Sequence, residues 1–253
     1  MQIVKKTAED WSEQNIADFW NWQSGNSSRQ EGYFTAMVGV GIVRFMKQQH
    51  LVKGKILDYG CGAGHMLSLL SQQPNVELYG LDFSPDSIEQ TKQRVKNPLV
   101  LKELYVVDKL PSAFKSEIFD TITFIETIEH LQNKMLENTL VEIHRLLKPG
   151  GRLLLTTPFD EELEKHMTFC PFCKAEFHHM QHMQRFTIES LSILLKKHGF
   201  KIEFCKNINL EKYQTGSFKF NLKRLLSNMA ISLRQRQKSK VHNKPHLVAI
   251  VSK

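Results

Sequence analysis

The sequence predicts an α/β fold, a doubly wound and mostly parallel seven-stranded sheet, and three observations predict it. Short apolar runs near residues 55–59, 76–81, 100–107, 118–125, 152–157, 200–206 and 246–252 alternate with helix-like segments. That is the pattern of strands buried on both faces and joined by crossover helices. Ile56-Leu57-Asp58-Tyr59 leads straight into Gly60-Cys61-Gly62-Ala63-Gly64-His65, a strand entering a glycine-rich turn that opens a helix. Two later runs also end on an acid, Asp82 and Asp108, at the strand ends where open parallel sheets collect ligands.

Taken in chain order, residues 1–50 form an N-terminal helical segment rich in aromatics: Trp11, Phe19, Trp20, Trp22, Tyr33 and Phe34, ahead of a helix from Ala36 to Gln48. Its aromatics can simply pack on a domain spanning 51–253. In the first turn, glycines at every second position leave no Cβ between main chain and ligand and permit positive φ. A dinucleotide site would place a glycine where His65 stands, and Asp58 would repel a pyrophosphate. A cationic ligand group suits Asp58 better. Val76-Glu77-Leu78-Tyr79-Gly80-Leu81-Asp82 is the second strand; Phe83 follows, then Ser84 as helix cap and Pro85 at the first helical position. Leu104-Tyr105-Val106-Val107-Asp108 is the third. The fourth, from Ile118 to Ile125, runs into Glu126-Thr127-Ile128-Glu129-His130, and a helix then stops at Lys148-Pro149-Gly150-Gly151 before Leu153-Leu154-Leu155-Thr156-Thr157.

From Lys55 to about Thr157 these motifs resemble the class I S-adenosylmethionine-dependent methyltransferases, in which an acid precedes GxGxG and a helix ending in LKPGG precedes the fifth strand. The resemblance implies that the turn residues Gly60, Cys61, Gly62 and Gly64 bind the cofactor. It gives Asp58 the methionine end, Asp82 the ribose hydroxyls, Phe83 the face of the adenine and Asp108 its amino group. It also implies that the aromatics of residues 1–50 belong to a lid that helps shape the substrate pocket. The ExxEH set Glu126, Glu129 and His130 is similar to that of the ubiquinone-biosynthesis O-methyltransferases. There the matching residues lie at the active site and are linked to a divalent metal, so the three become candidates for base or metal ligands. Glu129 and His130 could equally open the next helix, where acids suit the dipole. No Asn-Pro-Pro-aromatic turn or cysteine follows the fourth strand, which argues against nucleic-acid bases as acceptors.

Residues 160–186 are inserted between the fifth strand and the next helix. Cys170 and Cys173 have CxxC spacing, and His178 and His182 follow at one-turn separation. Two thiolates and two imidazoles suit a structural tetrahedral zinc, with His166 and His179 as substitutes; the histidines could instead serve the substrate pocket. Of the 34 Lys and Arg, ten lie from Lys212 onward with no Asp or Glu, leaving 24 against 26 acids elsewhere, so the net +8 is a C-terminal property. Residues 216–237 read as a basic amphipathic helix that packs on the core, contacts an anionic membrane surface or meets an acidic partner. The chain has 253 residues, 41% of them hydrophobic, enough for one core. It shows no signal h-region or membrane-spanning run, and its four cysteines form no disulfide framework, so a cytoplasmic location is expected, peripheral contact with a membrane included. The expectation is methyl transfer from S-adenosylmethionine to a hydroxyl of a small-molecule or lipid-like acceptor. The alternative is an inactive module on the same fold, contacting RNA or protein through the zinc loop and basic helix.

Overall fold

A computed structural model of the chain describes residues 3–214 and 246–253. The expected helix at 216–237 lies outside the described residues. In chain order the elements are β1 (Val4–Lys5), α1 (Glu13–Ser24), α2 (Ser27–Gln30), α3 (Phe34–Gln48), β2 (Gly54–Tyr59), α4 (His65–Leu70), β3 (Val76–Asp82), α5 (Pro85–Arg94), β4 (Leu101–Val106) and β5 (Phe119–Ile125). There follow α6 (Asn133–Leu146), β6 (Leu147–Pro158), β7 (Met167–Phe169), β8 (Ala175–His178), α7 (Ile188–Lys197), β9 (Lys201–Ile208) and β10 (His246–Ser252).

All seven expected strands form one sheet of order β4-β3-β2-β5-β6-β10-β9. β2 through β6 are parallel; β10 runs antiparallel to both of its neighbours. The order reverses between β2 and β5, and the cleft above that switch point is where such a sheet binds its ligand. Period-two alternation sorts the strand residues between two cores. Leu57, Leu81, Ile122, Phe124, Leu153 and Leu155 pack under Leu140 and Ile143 of α6 and Leu191 and Leu195 of α7. Ile56, Leu78, Leu154, Val248 and Ile250 face Ile42 and Met46 of α3, Leu67 of α4 and Ile88 of α5. The α3 helix is therefore a core layer of the domain as well as the end of the N-terminal segment. Among the described residues no helix is long and apolar enough to cross a membrane.

The inserted segment departs from expectation. β7 and β8 pair as an antiparallel hairpin, and β1 adds to β8 in parallel through Val4↔Ala175 and Lys5↔Glu176, making a separate three-stranded sheet. Residues 175–178 are strand, so His178 and His182 share no helical face. Thr187 caps α7 by accepting the Ser190 N–H at 3.1 Å, as the Arg-Phe-Thr helix start suggests.

Candidate active site

The glycine turn joins β2 to α4, and each glycine serves a different purpose. Gly60, Gly62 and Gly64 all hold positive φ, at 75°, 51° and 78°. A Cβ on Gly60 would sit 2.9 Å from Thr127, and one on Gly64 2.9 Å from the Thr91 backbone, so these two let neighbouring segments close in. Gly62 would meet nothing within 4 Å. It is the position that leaves room for a ligand. From α5, Thr91 donates to Gly62 O at 2.8 Å and Arg94 to Ala63 O at 2.6 Å, clamping the turn. The Cys61 side chain turns into the core, 4.0 Å from the Thr91 hydroxyl, so only its main chain belongs to the turn's face.

The turn borders a cavity of about 980 Å³ at the switch point, lined also by Asp58, Asp82, Phe83, Asp108, Glu126, Glu129 and His130. Asp58, 3% exposed, accepts the Thr123 hydroxyl at 2.7 Å, and burial raises its pKa to about 7. Asp82 accepts the amides of Gly62 at 2.8 Å and Ser84 at 2.9 Å; burial raises it to about 6 even so. Both carboxylates are held by neutral donors, which leaves this part of the cavity with a demand for positive charge. Phe83 (40% exposed) and the exposed Asp108 stand on its wall. The roof comes from the N-terminal segment: Trp20 donates to Gln181 at 2.6 Å and lies edge-on to His130, and Tyr33 keeps a buried hydroxyl with no partner.

Beyond β5, Ile128–His130 is a single 3₁₀ turn, and α6 starts only at Asn133. Glu129 and His130 therefore do not open that helix; both are buried against the cavity. Glu126 has φ 45°, an unfavourable left-handed conformation for a non-glycine residue, and this turns its carboxylate toward Thr156 at 2.7 Å and His246 at 3.4 Å. Burial lifts Glu126 to about 7. Glu129, 1% exposed, accepts the Thr157 hydroxyl at 3.0 Å, yet its Oε1 is buried without a hydrogen-bond partner. Burial, and then the Glu126 carboxylate, hold Glu129 well above the usual range. Burial, and then His182, hold His130 well below its own, so it stays a neutral imidazole at neutral pH.

The structure regroups the expected metal ligands. Glu129, His130 and His182 converge, with one potential ligand atom from each within 4.8 Å of the others, as do Glu161, His178 and His182. His182 thus replaces Glu126 in the tight acid and histidine set. The Cys170, Cys173, His178, His182 tetrad is not assembled. Phe169 pairs with Glu176 next to the hairpin tip that carries the cysteines, whereas His178 pairs with Met167 at its foot, about 7 Å further along the strand. The two convergent sets differ in the lone pairs they could offer a cation. His178 Nδ1 accepts the amides of Met180 at 3.3 Å and His182 at 3.1 Å, so the neutral ring carries its proton on Nε2, which faces Glu161 at 3.7 Å and has no lone pair to offer. Glu161 in turn holds His182 Nδ1 at 2.5 Å, the carboxylate–imidazole support that orients a metal-binding histidine. Sequence reasoning missed Glu161 and grouped His182 with the cysteines, whereas the structure brings it to Glu129, His130 and Glu161; the signal for Glu161 was an acid shortly after a strand end.

A methyltransferase domain family model matches residues 36–203. The ubiquinone/menaquinone biosynthesis C-methyltransferase UbiE of Desulfotalea psychrophila is 31% identical over 108 residues, 42% of each chain. Phosphoethanolamine N-methyltransferase 1 of Zea mays is 24% identical over 72% of this chain and 40% of its own. The matches thus span about two fifths of the length of these relatives. The crystal structure of the N-methyltransferase NodS from Bradyrhizobium japonicum, in complex with S-adenosylhomocysteine, aligns with a TM-score of 0.63 over 94% of this chain and 98% of its own at 14% identity, a likeness of fold. Strand order, glycine turn and family match agree: the chain belongs to the methyltransferase domain family and is a class I S-adenosylmethionine-dependent methyltransferase.

Proposed function

We propose that the chain transfers the methyl group of S-adenosylmethionine to a hydroxyl of a small or lipid-like acceptor, and that a divalent cation at Glu129, His130 and His182 assists. The observation that supports this most is the convergence of those three residues in the same cavity as Asp58 and Asp82. The donor fits the site. Gly62 leaves open space beside two buried acids, of which Asp58 would hold the ammonium end, Asp82 the ribose hydroxyls, Phe83 the adenine face and Asp108 its amino group. A divalent cation fits too, because the orphaned Glu129 Oε1 and a neutral His130 are what a ligand set requires. Such a cation would fix an acceptor oxygen and lower the pKa of its proton.

The residues then divide the work. Methyl transfer from a sulfonium is an in-line displacement, so the main tasks are to align the acceptor oxygen with the methyl carbon and to exclude water. The roof of Trp20 and Tyr33 does the latter. His130, held far below its ordinary pKa, is a poor proton acceptor, whereas Glu126 near 7 is poised to take the hydroxyl proton. Base and ligand are thus different residues of the one ExxEH motif. His246 Nε2, 3.4 Å from Glu126, holds that carboxylate in place as it takes the proton.

The purified chain is tested with methyl-labelled S-adenosylmethionine, a metabolite extract including phenolic and lipid fractions, and Mg²⁺ or Mn²⁺. The expected result is a labelled methyl ether whose formation stops with a chelator. Tight donor binding with no labelled product in any fraction would instead favour a binding module without turnover.

A further inference from the structure

The cysteines set aside by the active site occupy a different place. The segment Phe169-Cys170-Pro171-Phe172-Cys173-Lys174 forms the tip of the β7–β8 hairpin, with Cys173 exposed, Cys170 half-buried and Phe172 94% exposed. Lys174 lies in the left-handed region at φ 59°. Its N–H donates to Cys170 O at 2.8 Å, and Cys170 N–H donates to Ala175 O at 2.9 Å, which curls the turn so that both thiols lie on one side. The tip is braced from below by β1, through Val4 N–H to Lys174 O at 3.0 Å and Lys6 N–H to Glu176 O at 2.8 Å.

The amides of Cys173 and Phe172 face the Cys170 sulfur, and the Cys173 thiol lies beside it. A CxxC turn whose amides stabilise thiolate is preorganised for a thiophilic metal. Yet zinc in a structural site takes four ligands, and among the described residues no third histidine, cysteine or acid joins the pair.

We propose that the Cys170–Cys173 tip is half of a tetrathiolate zinc site, completed by the same tip of a second copy of this chain. This inference stands apart from the methyl-transfer reading. A two-fold axis through the metal supplies four thiolates in two symmetry-related pairs and closes the assembly at two copies. The surroundings favour a like partner. From Met167 to Cys173 no residue is charged, and Phe169 and Phe172 stand exposed beside the sulfurs, an apolar rim that two copies would cover together. Four thiols lose four protons on binding, giving a centre of net charge −2 that the two Lys174 ammonium groups, one from each copy, balance.

The experiment uses the full chain, reduced, with zinc added while light scattering reports molecular mass. The expected outcome is a doubling of mass on uptake of one zinc per two chains beyond what C170S/C173S takes up, with the double variant remaining monomeric. Cobalt in place of zinc separates this site from the sulfur-free cluster of Glu129, His130 and His182, and it needs no variant. Thiolate-to-cobalt charge-transfer absorption should grow in step with the dimer. A mass unchanged at saturating zinc would overturn the proposal, as would a zinc-dependent dimer that persists in C170S/C173S. Cobalt–thiolate absorption from a monomer would do so too, pointing to ligands within one chain.

Discussion

Asp58→Asn will weaken S-adenosylmethionine binding by about thirtyfold or more, since removing one side of a buried, hydrogen-bonded charge pair costs about 2 kcal/mol or above. Thr123 fixes the carboxylate at 2.7 Å, so the asparagine fits the same space and loses only the charge. The pH dependence is distinctive. Burial raises the Asp58 pKa to about 7, and a cationic ligand needs the ionised form, so affinity should fall about tenfold for each pH unit below 7. Linkage sets the sign for stability as well. A folded-state pKa above that of the unfolded chain means the ligand-free fold binds the proton more tightly, so this group's contribution declines as pH rises from about 4 through 7. A bound cation reverses it. Calorimetry at pH 6, 7 and 8 should show this slope in the wild type and its loss between pH 6 and 7 in the variant. Equal affinities of the two proteins at pH 8 would count against the assignment.

Glu129→Gln is expected to abolish most turnover, by a factor of about 10² to 10⁴ if the several kcal/mol a bound cation supplies are lost, with donor affinity unchanged. The carboxylate is 1% exposed, beside Glu126, and keeps an unpartnered Oε1. Burial and the Glu126 carboxylate both oppose its charge, so without a cation nearby it holds a proton more tightly than an ordinary carboxylate does. Mn²⁺ or Mg²⁺ should therefore raise the melting temperature of the wild type and release protons on binding, as ligands that bind only the folded state do. The amide cannot ionise, and both signatures should vanish in the variant. A variant that still gains thermal stability from Mn²⁺ would place the ion elsewhere.

The reach of the sequence differs between the sheet and the site, for a physical reason. Strand identity rests on local signals: buried runs such as Ile122 to Ile125, the Ser84-Pro85 helix start, and the glycine turn between Asp58 and His65. All of these are written within a few residues, and each is found where expected. The proposed divalent set is written across the fold. Glu129 lies after β5, His182 beyond the inserted hairpin and Glu161 just past β6, and only the tertiary fold brings them together. The Cys/His tetrad failed for a related reason. Ligand spacing in sequence predicts proximity when the intervening chain is a turn or helix, but here β8 is extended and carries His178 away from the tip. The glycines are a subtler case. Their spacing fits a ligand-contacting turn, yet of the three only Gly62 would point a Cβ into open space, while Gly60 and Gly64 admit Thr127 and Thr91.

The central claim is that the cleft between Asp58 and Asp82 receives the methyl donor, and a crystal grown with S-adenosylhomocysteine tests it most directly. The structure should show the amino-acid end of the ligand against Asp58, its chain passing Gly62, and its ribose hydroxyls on Asp82 in place of the Gly62 amide that Asp82 now accepts. A ligand bound elsewhere, with that hydrogen bond intact and the cleft filled only by solvent, would contradict the account.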